Sequence, residues 1–443
     1  MSRAADPRLA AVGIALLLGA GCSEQDRKAW VSILPGSDPP AASDADTVPA
    51  PPGFSISDDS TAVRLDGQAV VTIERLPDRG PGDTDLREAR FGTAAISPDS
   101  LHVGFATAGE TPVVGVWNRA RQSARLVTAL PGAAIGRLEW SPDGRFAIWQ
   151  ATGPDGVTTV GAYDLRIGRA ARHPVLSWLE RRDRSVRIQD WMTETRLRLL
   201  VSAGREPDGG LAWMWELHGG SLVVEDQVEA LARGAPPGSQ LLAGGAFSAN
   251  LLGDPVPESI ALYVSGSSEP SALVVRNRAG EYAATATEPL IAPGVLGLES
   301  WKGIRRGPEL SEIVDVGDRP ILLISIPVPE NPVQTLGFFR VAPDGRVEPV
   351  VAVGAGGAEP ALFPDGRTPD RIFDLGLVDL DGDGQVEVAA AVGRQDPNAL
   401  TPRLQWGVQV WKWDDGPRLV PAPELERPAL ERIEGLSVTD GGS

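Results

Sequence analysis

Ile96-Ser97-Pro98-Asp99-Ser100, followed by Val103-Gly104-Phe105, and Trp140-Ser141-Pro142-Asp143-Gly144, followed by Phe146-Ala147-Ile148, are two copies of one pattern about 44 residues apart. Each reads as a strand, a tight turn and a second strand. Proline presets φ early in the turn, and Asp-Gly or Asp-Ser tolerates the geometry that follows. A further hairpin-like pair lies downstream of each copy, Val114 to Thr128 and Val157 to His173. A third, blurred copy places Trp191 where Trp140 stands, Thr193-Glu194-Thr195 in the turn and Leu197 to Val201 in the next strand. Repetition at this period implies a propeller or a solenoid. Elsewhere short apolar runs are broken at intervals of roughly 8–15 residues by Gly, Pro and Asp, and long amphipathic helices are absent, which is the pattern of an all-β chain.

The Ser-Pro-Asp-Gly turn between apolar strands resembles the repeats of the TolB-like propeller family, in which each four-stranded blade opens with this hairpin. The resemblance covers roughly residues 85 to 225 and implies a β-propeller.

The second half carries a different motif, Asp379-Leu380-Asp381-Gly382-Asp383-Gly384-Gln385-Val386-Glu387, leading into Val388-Ala389-Ala390-Ala391-Val392. Alternate carboxylates on a tight loop point inward together, glycines permit φ > 0, and hard Ca²⁺ takes six to eight oxygen ligands. Four clustered carboxylates repel one another without a cation. The spacing is too short for an EF-hand, whose bidentate Glu stands at position twelve before a helix, and strand-like residues follow here. The plain alternative is an acidic hairpin turn that holds no ion. The motif resembles the FG-GAP or VCBS repeat of integrin-like propellers, whose loop binds calcium through positions one, three, five, seven and nine. That resemblance implies Asp379, Asp381, Asp383, Gln385 through its backbone carbonyl, and Glu387 as ligands.

The same frame recurs at Asn250-Leu251-Leu252-Gly253-Asp254-Pro255-Val256-Pro257-Glu258, before Ser259-Ile260-Ala261-Leu262. Leu252 occupies the second ligand position and Pro255 replaces a glycine, so this blade is expected to keep the shape without the metal. A fainter copy runs from Ile304 through Gly307 to Glu312, with Arg305 and Arg306 excluding a cation. Blades are expected at about 85–130, 131–180, 185–230, 240–292, 293–355 and 368–425. Strands at Ala62 to Leu65 and Val70 to Arg75, paired with Leu430 to Val438, would complete a seventh blade and hide the open edges. Seven blades are expected, with six as the alternative.

Cys22 is the only cysteine among 443 residues. It follows an apolar run, Leu9 to Leu18, and the small residues Gly19, Ala20 and Gly21, after Arg3 and Arg8. About ten apolar residues fall short of the ~20 needed to span a bilayer, so the segment reads as an export signal. The arrangement resembles the start of bacterial lipoproteins, which implies diacylglycerol and an N-acyl chain (palmitate) on Cys22. Ordinary cleavage at a small-x-small site, leaving a soluble protein, is the alternative. Residues 1–21 are thus read as a signal peptide. Residues 22–53, rich in Pro, Ala and Asp, are read as a tether whose proline-rich stretch from Pro35 to Gly53, about twenty residues, reaches roughly 60 Å when extended, and residues 54–443 are read as the propeller. The expected location is the bacterial cell envelope, on the outer membrane. A single cysteine allows no internal disulfide, so burial or bound ions must stabilise the fold.

The formal net charge of −18 argues against nucleic acid and anionic lipid surfaces as partners. Most of the 12 tryptophans lie in apolar strand runs and are expected between blades, whereas Trp178, Trp301 and Trp406 sit near apparent loops and are candidates for an exposed surface. None of His102, His173 and His218 has a partner at metal-ligand spacing, and no Gly-x-Ser-x-Gly elbow occurs, so no catalytic residue is assigned. Glu180-Arg181-Arg182-Asp183-Arg184 reads as a solvated loop. The favoured function is a lipid-anchored, calcium-stabilised propeller, monomeric, that binds an envelope or extracellular protein or glycan without catalysis. The alternatives are a polysaccharide-active enzyme using carboxylates of the propeller funnel, and a TolB-like envelope-assembly component.

Overall fold

Tight turns at Ser-x-Asp sequences set the first half of the chain into antiparallel strands. In the turn at 97–102, Ser97 Oγ donates to Asp99 Oδ1 at 2.5 Å while the amides of Leu101 and His102 donate to Asp99 Oδ1 and Ser97 Oγ, both at 2.9 Å. The turn at 141–146 repeats each bond. Ser141 Oγ meets Asp143 Oδ1 at 2.5 Å, and the Arg145 and Phe146 amides donate at 3.1 and 2.9 Å. A third instance, which the sequence reading missed, lies at Ser57-Asp58-Asp59-Ser60, with the matching bonds at 2.6, 3.2 and 2.9 Å. Ser60, Ser100 and Gly144 occupy the same left-handed position, with φ of 59°, 57° and 72°. Thr193 replaces the serine and aspartate together in the blurred copy, accepting from the Thr195 and Arg196 amides.

The computed structural model describes residues 53–431 apart from 204–209, 236, 238, 254–255, 265–269, 279–280, 291–307, 318, 327–334, 355–356, 364–370, 396–403 and 415–417. Among these residues, six successive runs of four antiparallel strands follow in chain order. The first comprises Arg90–Ile96, His102–Ala108, Val113–Asn118 and Ser123–Ala129, and the second Ala134–Trp140, Phe146–Thr152, Thr158–Asp164 and Arg169–Ala171. The third holds Arg184–Trp191, Arg196–Ala203, Leu211–Glu216 and Ser221–Val224, and the fourth Gln240–Ala249, Glu258–Val264, Pro270–Arg278 and Glu281–Pro289. Glu309–Val316, Arg319–Ile326, Thr335–Val341 and Val347–Pro349 make the fifth, and Arg371–Val378, Glu387–Gln395, Leu404–Trp413 and Arg418–Pro421 the sixth. A three-stranded sheet, Ser55–Ile56, Ala62–Leu65 and Gln68–Thr72, precedes them. The first strand of the second sheet packs on the first, and that of the fifth on the fourth. Sequential four-stranded sheets stacked through their opening strands make a β-propeller.

Tryptophan at the end of the opening strand stitches the second sheet to the first and the third to the second. Trp140 Nε1 donates to the Ala95 carbonyl at 3.0 Å, and Trp191 Nε1 donates to Glu139 Oε1 at 3.1 Å, one repeat later. Trp117, Trp149, Trp213, Trp215 and Trp413 are also buried. Such rings exclude water from the faces between sheets and fix their spacing, and truncating one costs roughly 3–5 kcal/mol.

Four expectations are corrected by the structure. Leu430 lies in a helical segment, 426–431, so it does not open a closing strand; residues 432–443 lie outside the described residues. Glu312 stands inside Glu309–Val316, an opening strand, rather than at the head of a second strand, and the hairpin turns between Val316 and Arg319; residues 304–307 of the faint copy lie outside the described residues. Trp178 is 1% exposed, because Pro174–Arg181 is a helix whose Val175, Leu176, Trp178 and Leu179 face the core. Glu180 and Arg181 therefore end a helix and Arg184 begins a strand, leaving Arg182 and Asp183 between them. Trp301 lies outside the described residues. Among the described residues no helix is long and apolar enough to cross a membrane.

Candidate metal centre

The loop at 379–387 joins Arg371–Val378 to Glu387–Gln395, with Val378 opposite Glu387. Its carboxylates organise its backbone. Asp379 Oδ1 accepts from the Gly382 amide at 2.7 Å and Oδ2 from Gly384 at 3.1 Å. Asp381 Oδ1 accepts from Asp383 at 3.1 Å, Asp383 Oδ1 from Gln385 at 2.7 Å, and Glu387 Oε2 from Leu380 at 2.7 Å. Gly382 and Gly384, at φ 79° and 87°, make the turns that an L side chain would strain. Trp413 Nε1 fixes the end of the loop through the Val386 carbonyl at 2.8 Å.

Of the five residues expected as ligands, the fold brings together one oxygen each from Asp379, Asp381 and Glu387, all within 4.8 Å of one another. Asp383 is exposed on the same loop, and Gln385 is half-buried beside it. Glu387 is 2% exposed, and its pKa is raised, first by burial and then by the charges of Asp381, Asp383 and Asp379, against the Leu380 hydrogen bond. The neighbouring Lys412 is committed elsewhere, to Glu424 at 2.7 Å. The donor set is all hard oxygen, and the backbone bonds leave further lone pairs on each carboxylate, so these residues fit a calcium ion.

The loop of the fourth sheet has the same build. Ala249 stands opposite Glu258, as Val378 does Glu387. The Leu251 amide donates to Glu258 Oε2 at 2.7 Å, Gly253 donates to Asn250 Oδ1 at 2.7 Å, and Gly253 has φ 79°. The Leu252 amide also reaches Glu258 Oε2, at 3.1 Å. Glu258 is 1% exposed. Thus a buried glutamate and an Asx residue hold the frame in both loops, and the carboxylate of Asp381 is replaced by the apolar side chain of Leu252. Asp254 lies outside the described residues.

The three histidines lie in structural settings. His173 is buried as the cap of Pro174–Arg181, His102 Nε2 is 3.0 Å from Asn118 Nδ2, and His218 Nε2 is 2.7 Å from Asp143 Oδ2 across two sheets. Burial works against the Asp143 carboxylate but is outweighed by the hydrogen bonds from His218 and Ser141, and its pKa is lowered.

No protein-family model and no curated protein matches this sequence. Solved structures similar to it include TolB from Acinetobacter baumannii (11% identity, 64% of this chain and 60% of that one, TM-score 0.23). The β-propeller domain of the Trilobed protease from Pyrococcus furiosus is 11% identical over 73% of this chain and 79% of that one, with TM-score 0.22. A puromycin hydrolase is 13% identical over 60% of this chain and 38% of its own, with TM-score 0.24. The chain thus spans 60% of the TolB structure and 38% of the hydrolase. Similarities of this size say nothing about ligand or chemistry.

Proposed function

We propose that the chain is a lipid-anchored β-propeller of the bacterial envelope, stabilised by calcium at the 379–387 loop and acting as a binding module for an envelope or extracellular partner. The observation that supports it best is the convergence of Asp379, Asp381 and Glu387 on a loop whose backbone bonds already hold the three carboxylates in place. A fixed oxygen site costs little to organise when the ion arrives, and an exported protein meeting millimolar calcium needs only modest affinity. At about ten times the dissociation constant, calcium adds roughly 1.4 kcal/mol to stability. The FG-GAP-like loop and the Ser-Pro-Asp-Gly turns join strands of antiparallel sheets, and loops held on such sheets suit presentation to a partner. The anchor rests on Cys22 and the preceding apolar run alone.

Two measurements test the two halves of this reading. Titration calorimetry on the full chain should detect calcium binding at millimolar ion, and its absence there defeats the metal assignment. Radiolabelled palmitate should enter the wild-type protein in bacteria, and Cys22→Ser should abolish both labelling and membrane fractionation. Equal sedimentation of variant and wild type would defeat the anchor.

A further inference from the structure

Against the formal charge of −18, the stretch 166–187 carries seven arginines and two acids, Glu180 and Asp183. It runs from the outer strand of the second sheet through the helix Pro174–Arg181 into the third sheet. Two cavities flank it. One, of about 330 Å³, is a polar cleft between the helix and the fifth sheet, lined by Arg172, Ser177, Glu180, Arg181, Ser311 and Glu312. The other, of about 120 Å³, is an apolar recess whose walls include Trp149, Val160, Leu176 and Val186, with Arg184 at its edge. Arg172 and Glu180 line both, so their ion pair stands where the two spaces meet.

The arginines around the helix are committed. Arg172 pairs with Glu180, Arg181 with Glu312 and the Ile313 carbonyl, and Arg182 with Asp315. Arg184 is exposed and has no ion pair or side-chain hydrogen bond among the described residues. A cation left without an anion at the lip of an apolar recess is matched by an anion that brings its own apolar group. An engineered apolar cavity of ~150 Å³ accommodates benzene, so the smaller recess suits a branched aliphatic side chain. The glutamates nearby disfavour a dianion such as phosphate and offer acceptors to an N–H group.

We propose that the cleft and recess bind an α-amino or α-amido acid with an aliphatic side chain. Its carboxylate meets Arg184, its side chain fills the recess against Trp149 and Leu176, and its N–H faces Glu180 beside the Arg172 pair. The source is either the carboxyl-terminal residue of a peptide or a free amino acid. This goes beyond the calcium and anchor reading, and its failure leaves those tests untouched.

Titration calorimetry on the full chain with N-acetyl-glycyl-leucine, the same dipeptide as its carboxyl-terminal amide, and free leucine separates the outcomes. The acid should bind at millimolar or lower concentration and the amide at least about tenfold more weakly, the loss expected when a charge-assisted hydrogen bond is removed. Arg184→Gln, at an exposed position, should lower affinity for the acid similarly, and Ala170→Leu should block the recess, both with unchanged melting temperature. Binding of free leucine in preference to the dipeptide assigns a free amino acid as the source. Equal binding of acid and amide, indifference to Arg184→Gln at unchanged stability, or no binding of either carboxylate at millimolar concentration overturns the proposal.

Discussion

At the scale of single residues, two buried ionisable groups give the protein opposite responses to pH. His173 accepts from the Val175 amide through Nδ1 at 3.2 Å, and its pKa is pushed down to about 3 by burial, against a hydrogen bond with the Gly220 backbone. In the unfolded chain the same ring titrates near 6.5. Between those values the unfolded state holds a proton that the folded state refuses, so this contribution is complete above ~6.5 and declines as pH falls, by up to roughly 1.4 kcal/mol per pH unit. His173→Asn keeps an acceptor for the helix cap and removes the titration. Urea midpoints measured across this range should therefore fall less steeply with acid in the variant, and parallel slopes would refute the assignment. Glu387 runs the other way. Its raised pKa means the folded state holds the proton longer, so stability declines as pH rises from the ordinary glutamate range through the folded value. Melting curves in chelator should show this decline, and calcium should reduce it, because the cation compensates the carboxylate repulsion.

At the scale of elements, the paired hairpins separate shape from metal. Because Asn250 and Glu258 hold the fourth-sheet loop by the bonds that Asp379 and Glu387 make in the sixth, the frame does not need a second-position carboxylate. Asp381→Ala is expected to remove most of the calcium-dependent rise in melting temperature. Asn250→Ala is expected to lose about 1 kcal/mol from the turn while leaving the calcium response intact, and scanning calorimetry with and without chelator distinguishes the two. This correspondence was legible in the sequence because turn residues act on neighbours a few positions away, so spacing alone carries the bonds. The turn at Ser57 escaped notice since Asp58 stands where proline stands in the other copies. The supposed copy ending at Glu312 misled for the converse reason, with Gly307 and an acid at the right spacing but Ile304 where the Asx residue stands in the other two loops. Pro174–Arg181 was unreadable because eight residues hold too few turns for a helical period to emerge, so its buried Trp178 looked like a loop residue. That Asp379, Asp381 and Glu387 would converge followed from alternation, whereas the burial of Glu387 depends on neighbouring strands and could not be read locally.

At the scale of the whole molecule, the helix Pro174–Arg181 ties together sheets far apart in the chain. It leaves the second sheet, leads into the third and packs on Glu309–Val316, the opening strand of the fifth. Trp178 Nε1 donates to Asp315 Oδ1 at 3.2 Å, Arg182 Nη2 donates to the same oxygen at 2.8 Å, and Arg181 Nη2 reaches the Ile313 carbonyl at 2.6 Å. The largest apolar cluster runs from Phe146 of the second sheet through Val175, Leu176 and Trp178 to Leu322 and Phe339 of the fifth. The first sheet and the three-stranded sheet before it share a separate cluster built on Val63, Phe91, Phe105 and Trp117. Burial of this kind carries most of the energy, and the exposed Arg182–Asp315 pair carries little. Arg182→Ala is therefore expected to cost under ~1 kcal/mol, and Trp178→Ala roughly 3–5 kcal/mol. Sheets that share one core unfold together, whereas a sheet packed by its own cluster can outlast its neighbour's opening. Hydrogen exchange on Trp178→Ala should accordingly show amides of Glu309–Val316 and Arg184–Trp191 losing protection while those of His102–Ala108 keep theirs. Equal loss in all three strands would mean that the ring opens as one cooperative unit and that the helix does not define a subset of it.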